Sequence, residues 1–202
     1  MFYVAFTLIM LIIVFLMVYT PYLAFTGEDT ANWLYNPGFS WACHQKISRS
    51  LCLFKDDSSN GNYFIADCTK QIGKYVPNDR TQIKVINDNG LTGYKIPVCA
   101  RDVGIYAAML IASIIYPFFR KLHDENVPAG IYLLLAMVPI GLDGGLQLLS
   151  EFGINIFGNY ESTNIIRLIT GVIAGFALPF YIFPLVNYYK NKKFDKKIKN
   201  DK

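Results

Sequence analysis

Charge is missing from residues 2–19, and the run from Phe2 to Phe25 is almost wholly apolar. No basic stretch precedes this run and no clear small-residue cleavage site follows it. Its apolar core is also too long for a signal peptide. It reads instead as a retained transmembrane helix, for which about 20 apolar residues suffice. Lys and Arg are absent from residues 150–163, which contain Glu151 and Glu161. Neither C-x-x-C nor H-E-x-x-H occurs, so the strong zinc and redox motifs are lacking. Histidine occurs only as His44 and His123. The lysines near the C-terminus lack a pattern of interleaved aromatics and adjoin an apolar run, which excludes a nucleic-acid partner.

What is present is hydrophobic. Of the 202 residues, 53% are hydrophobic and 15% aromatic, well outside the range of an ordinary soluble domain. Three further apolar runs follow the first, at residues 103–119, 127–149 and 165–189. The second ends on Arg120-Lys121, and residues 190–202 hold seven lysines and two aspartates. Short loops and flanks rich in Lys and Arg stay in the cytoplasm, whereas long translocated segments escape that rule. The expectation is a multi-pass protein of the cell membrane with both termini cytoplasmic. It divides into a first transmembrane helix (1–26), an extracytoplasmic segment (27–101), transmembrane helices two to four (102–189) and a basic cytoplasmic tail (190–202).

The extracytoplasmic segment is polar, too long for a turn and too short for a comfortable core of its own. Trp33, Tyr35, Phe39 and Trp41 suit the membrane interface. Lys55 to Asn62 reads as a loop by composition. Residues 81–86 alternate polar and apolar, Asn87-Asp88-Asn89-Gly90 is a turn signal, and residues 92–98 resume the extended pattern. That is a β-hairpin, with Cys99 just after its second strand. The fold class expected is mainly α: a four-span transmembrane helical bundle with a small Cys-containing extracytoplasmic segment that includes a β-hairpin.

Four stretches concentrate the chemistry. Cys43-His44-Gln45 contains the chain's one adjacent cysteine–histidine pair, both good metal ligands. Cys99 is followed by Arg101 and Asp102. Asp143 and Gln147 stand at i and i+4 and share a helix face. Asn164, Arg167, Gly171 and Gly175 form one stripe on the fourth run. Gly141-x-x-x-Gly145 and Gly171-x-x-x-Gly175 would both permit close helix approach. Asp143 and Arg167 are expensive in a membrane unless paired or hydrated, so they form either a structural ion pair or a polar pocket open to the outside. Four cysteines allow two disulfides. Cys52 and Cys68 flank the loop-like insert and suit a local disulfide. For Cys43 and Cys99 a disulfide, a metal site and a working thiol pair all remain open. His44 favours metal, zinc being the ion that Cys and His suit, with Asp102 or Asp143 able to complete four ligands. His123 reads as solvated.

The ordered set of motifs is similar to a known family. Cys43-His44-Gln45, Arg49-Ser50, Cys99-x-Arg101-x-x-Gly104-x-Tyr106, Asp143-Gly144-x-x-Gln147 and Asn164-x-x-Arg167-x-x-Thr170-Gly171 together resemble a prokaryotic membrane-protein family, domain of unknown function number two thousand and eighty-five. The resemblance covers roughly residues 40–175. It implies a polytopic membrane protein and carries no established activity.

These readings converge on one outward-facing site that binds a metal or a small polar ligand. Cys43, His44 and Cys99 would be metal ligands or structural cysteines. Gln45, Arg101, Asp102, Asp143, Gln147, Asn164 and Arg167 would bind the ligand, the two arginines holding an anionic group. A membrane enzyme using that site, by metal-assisted hydrolysis or thiol–disulfide chemistry, is one alternative. A noncatalytic subunit of a membrane complex is another. The lipid bilayer is the partner expected from composition, with the lysine tail placed to contact anionic lipid.

Overall fold

The computed structural model describes residues 2–27, 29–41, 46–56, 61–68, 83–86, 90–154, 158 and 160–200, with side chains as far as Lys193. The helices are α1 (Phe2–Thr26), α2 (Asp29–Trp33), α3 (Ala100–Phe119), α4 (Gly130–Glu151) and α5 (Asn164–Asn200). The strands are β1 (Leu51–Asp56), β2 (Asn62–Asp67), β3 (Lys84–Ile86) and β4 (Thr92–Lys95). α1, α3, α4 and the Asn164–Lys193 part of α5 are long and apolar enough to cross a membrane, matching the four spans expected. α5 continues beyond its apolar part, through the basic residues, to Asn200. Lysine is a good helix former, and nothing in the tail before that point breaks the ladder.

The chain forms two compact units. The first comprises residues 1–12, 104–161 and 169–202, and the second residues 13–103 and 162–168.

Aromatic packing holds the first unit together. The ring of Phe183 on α5 stands edge-on to Tyr3 and Phe6 of α1, both at 5.2 Å, and to Tyr116 of α3 at 4.9 Å. Such edge-to-face pairs set the positive rim of one ring against the negative face of another. The Tyr3 hydroxyl donates to the Ser113 carbonyl at 3.0 Å, which satisfies a polar tip on an apolar helix. Gly175 lets α5 approach α3 closely, since a Cβ there would run into the Ile105 carbonyl. Gly141 and Gly145 do no such work: a Cβ on either would meet nothing within 4 Å among the described residues. The two glycine pairs looked alike in sequence, but among the described residues Gly175 meets a neighbouring backbone where Gly141 and Gly145 meet none.

The 120–129 link between α3 and α4 is pinned at several points. Arg120 Nη1 pairs with Asp124 Oδ2 at 3.0 Å and donates to the Asn126 carbonyl at 2.6 Å. Asn187 of α5 donates to the carbonyls of Leu122 (2.9 Å) and Asp124 (3.1 Å). Asn191 donates to the Glu125 carboxylate.

The second unit contains a four-stranded antiparallel sheet in the order β2-β1-β4-β3. The expected hairpin is there: β3 pairs with β4 through Lys84↔Tyr94, Val85↔Gly93 and Ile86↔Thr92. Residues 87–89 of its turn lie outside the described residues, and Gly90 has φ 77°, a left-handed value that suits glycine. The expected loop from Lys55 to Asn62 needs correcting. Lys55 and Asp56 belong to β1 and Asn62 to β2, which pair from Leu51↔Asp67 to Asp56↔Asn62. These strands enclose the expected disulfide, Cys52–Cys68, with Cα atoms 5.1 Å apart. Cys52 and Cys68 pack with Ile47, Phe54 and Val85 into a small core. Gly93 is where the Phe54 ring crosses β4, and any Cβ there would collide with it.

Tyr35 also departs from expectation. It is 2% exposed, and its hydroxyl donates to the Lys95 carbonyl, so it is a core residue rather than an interface aromatic. Burial pushes its phenol well above the ordinary tyrosine range, with Tyr94 adding to the effect. Trp33 and Trp41 are exposed, as interface residues would be.

Candidate functional site

Asn164 opens α5, and Arg167 follows one turn later on the same face. Both are buried. A guanidinium removed from water must have its donors satisfied by the protein. Arg167 Nη1 donates to Asn164 Oδ1 at 3.0 Å and to the Ser48 carbonyl at 3.4 Å. Asn164 turns its amide the other way: Nδ2 donates to the Ser50 carbonyl at 3.2 Å and to Asp67 Oδ1 at 3.0 Å. The Ser50 carbonyl also receives the Cys68 N–H at 3.3 Å. A continuous polar network therefore runs from Arg167 through Asn164 to the strand ends at Ser50 and Asp67, beside the disulfide.

Cys99 immediately precedes α3. Its thiol donates to Asp102 Oδ2 at 3.0 Å. Asp102 lies in the first turn of α3, where a negative charge suits the helix dipole. Arg101 lies between them in sequence and is partly buried. Cys99, Arg101, Asp102, Asn164 and Arg167 all belong to the second unit. Cys43, His44 and Gln45 lie outside the described residues.

Asp143 and Gln147 belong to the first unit. They are the buried residues of α4, as their shared face implied. The Tyr160 hydroxyl donates to Asp143 Oδ1 at 2.9 Å, and Gln147 Nε2 lies 3.4 Å from Glu151 Oε1. Among the described residues, no three Cys, His, Asp or Glu side chains come together as a metal cage would require.

Sequence reasoning missed Ser48, Asp67 and Tyr160, and met Ser50 only within the Arg49-Ser50 motif. Ser48 and Ser50 contribute backbone carbonyls, which leave no compositional trace. Asp67 stood in a polar stretch with no pattern to single it out. Tyr160 adjoins Glu161 in the Glu-containing loop, and that position beside a span carrying Asp143 was the one available signal.

Comparison with known proteins bears on the whole chain. The pattern of a family described as predicted membrane protein (DUF2085) matches residues 90–181. That match takes in the Cys99, Asp143 and Arg167 motifs and begins after Cys43-His44-Gln45. An uncharacterised protein of Methanocaldococcus jannaschii is 32% identical over 198 residues, spanning 95% of this chain and 97% of the relative. No solved structure matches. Four apolar helices, the family pattern and a relative similar from end to end agree, and the chain belongs to this family of predicted membrane proteins.

Proposed function

We propose that the protein sits in the cell membrane with both termini in the cytoplasm and residues 27–101 outside, and that it binds a metal ion, zinc fitting best, at its outward-facing side. The supporting observation is the approach of Cys99 Sγ to Asp102 Oδ2, 3.0 Å apart. Ligands of one tetrahedral zinc, with sulfur at about 2.3 Å and oxygen at about 2.1 Å, stand roughly 3.5 Å from each other. A small opening of the Cys99–Asp102 contact would let both donors share an ion. Cys43 and His44 would complete the set. They precede Ser48 by only five and four residues, and the Ser48 carbonyl is anchored to buried Arg167. Arg167 and Asn164 then act as positioning residues, because their described bonds go to the chain's own backbone and side chains. Gln45 and Arg101 would meet a polar or anionic co-ligand beside that ion. The lysines of 190–202 meet anionic lipid on the cytoplasmic side.

Metal analysis and thiol counting on the protein purified in detergent, with and without reductant, test this. An equivalent of zinc that is lost in Cys99→Ser and in Asp102→Asn supports the reading. A metal-free protein with a Cys43–Cys99 disulfide ends it and favours the thiol–disulfide alternative.

A further inference from the structure

A second polar feature lies in the first unit and shares no residue with the Cys99–Asp102 pair. Phe2, Tyr3 and Val4 at the start of α1, Leu122 and His123 in the α3–α4 link, and Asn187, Lys190 and Asn191 on α5 line a cleft of about 170 Å³. We infer that this cleft binds the phosphate of an anionic lipid headgroup. The inference rests on the reading of the lysine tail as a membrane-surface contact and goes beyond it, giving one headgroup a built site.

The chemistry of the lining carries the argument. Lys190 and His123 provide an ammonium and an imidazole, the usual donors to a phosphate oxygen. Carboxylates that would compete are already engaged: Asp124 by Arg120 and the Asn126 N–H, and Glu125 by Asn191. Asn187 and Asn191 hold the 120–129 link against α5, so the walls are set before a ligand arrives. The volume accommodates a phosphate group with a few waters.

The surroundings choose a lipid over a free anion. Val4 and Leu122 on the rim are exposed apolar residues, and Leu8, Phe118 and Phe119 extend the exposed apolar surface of the same unit. That surface belongs against acyl chains, which places the cleft at headgroup depth. Lys192 and Lys193 follow Lys190 on α5, and further lysines at 196, 197, 199 and 202 add an attractive field for anionic headgroups.

The test is native mass spectrometry of the full chain in detergent with phosphatidylglycerol, phosphatidylcholine or inorganic phosphate added singly. Four proteins are compared: wild type, Lys190→Ala, His123→Ala and a chain ending at Lys193. The mutated side chains are exposed, so the variants keep the fold, which circular dichroism verifies. We expect retained phosphatidylglycerol but not phosphatidylcholine, binding about fivefold weaker in each point variant, and near wild-type retention in the truncated chain. Phosphatidylglycerol lost on truncation but unaffected by Lys190→Ala and His123→Ala would overturn the cleft and leave the tail reading standing. Equal retention of the two lipids would overturn both. Inorganic phosphate retained as well as phosphatidylglycerol, and weakened equally by Lys190→Ala and His123→Ala, would overturn the lipid assignment.

Discussion

Arg167 donates through Nη1 to Oδ1 of Asn164, 3.0 Å away and three residues earlier on α5. This pairing orients the amide of Asn164 and leaves its Nδ2 for the Ser50 carbonyl and Asp67. One buried cation thereby fixes a neutral side chain that holds the ends of two strands. In a low-dielectric setting such a network stands or falls together.

The first prediction follows directly. Asn164→Ala should lower stability by about 1–3 kcal/mol, because it strands donors and acceptors that are buried. Arg167→Ala should cost at least as much. The double variant should cost clearly less than the sum of the two, since residues in one network couple by about 0.5–3 kcal/mol. Thermal unfolding in a fixed detergent reads all three. Additive losses would mean that the two side chains act separately.

The four apolar spans, the β3–β4 hairpin and the Cys52–Cys68 disulfide were legible because each leaves a local signature: an uncharged run, a period-two alternation before Asn87-Asp88-Asn89-Gly90, and cysteines flanking a polar insert. The partners of β1 were not. Leu51 to Asp56 runs into polar residues, and what makes it a strand is its pairing with β2 on one side and with β4, some forty residues on, at the other. Tyr35 had the composition of an interface aromatic, but its hydroxyl finds the Lys95 carbonyl sixty residues away. The site was half legible. An Asn and an Arg one turn apart identified a polar face, while Ser48 and Ser50 serve it through carbonyls that any residue could supply.

Glycine spacing gives a second prediction. Gly175→Ala should destabilise by about 1–3 kcal/mol, as overpacking does, because the new Cβ meets the rigid backbone at Ile105. Gly141→Ala and Gly145→Ala find open space. They should be neutral, or stabilise slightly by the helix propensity gained, up to about 1 kcal/mol. Melting temperatures of the three variants in one detergent make the comparison, and equal losses would reject the close α3–α5 contact.

The disulfide spans 16 residues of chain. Closing a loop of that size contributes about 3 kcal/mol in the chain-entropy picture, and both sulfurs also lie in the small core with Phe54 and Val85. Cys52→Ser with Cys68→Ser should therefore lower the unfolding transition and loosen the β1–β2 ends, visible as faster amide exchange at Ala66 and Asp67. Unchanged exchange there would show that the Asn164 bonds hold the strand ends unaided.

The α3–α4 link should respond to acid. The Asn126 backbone N–H and the Arg120 guanidinium hold the Asp124 carboxyl below its ordinary range, against a smaller opposing effect of burial. A depressed carboxyl contributes stability that is present above its unfolded-state pKa and is lost as pH falls through the folded-state value. The melting temperature of wild type minus that of Asp124→Asn should be constant from pH 7 to about pH 5 and shrink below about pH 4, the ordinary aspartate range. A difference that grows on acidification would contradict the assignment.

The last prediction concerns orientation, which composition implies and labelling can decide. The start of α1, the α3–α4 link and the Asn187–Asn191 turns of α5 line one cleft, so these three parts of the chain share a side of the membrane. Under the proposed topology Arg120, Lys121 and the lysines that follow Asn187 on α5 lie on that side, which the positive-inside rule would make the cytoplasm. Residues after α1 would then be translocated. Trp41 is 84% exposed in that segment and Lys193 is exposed on α5, so neither substitution disturbs packing. Trp41→Cys should react with a membrane-impermeant maleimide in intact cells, above the background of the parent chain. Lys193→Cys should react only after the cells are opened. The reverse pattern would invert the topology and put the Cys99–Asp102 pair on the cytoplasmic side. A reducing compartment would then disfavour the Cys52–Cys68 disulfide, so the labelling result and the oxidation state of those two cysteines must agree.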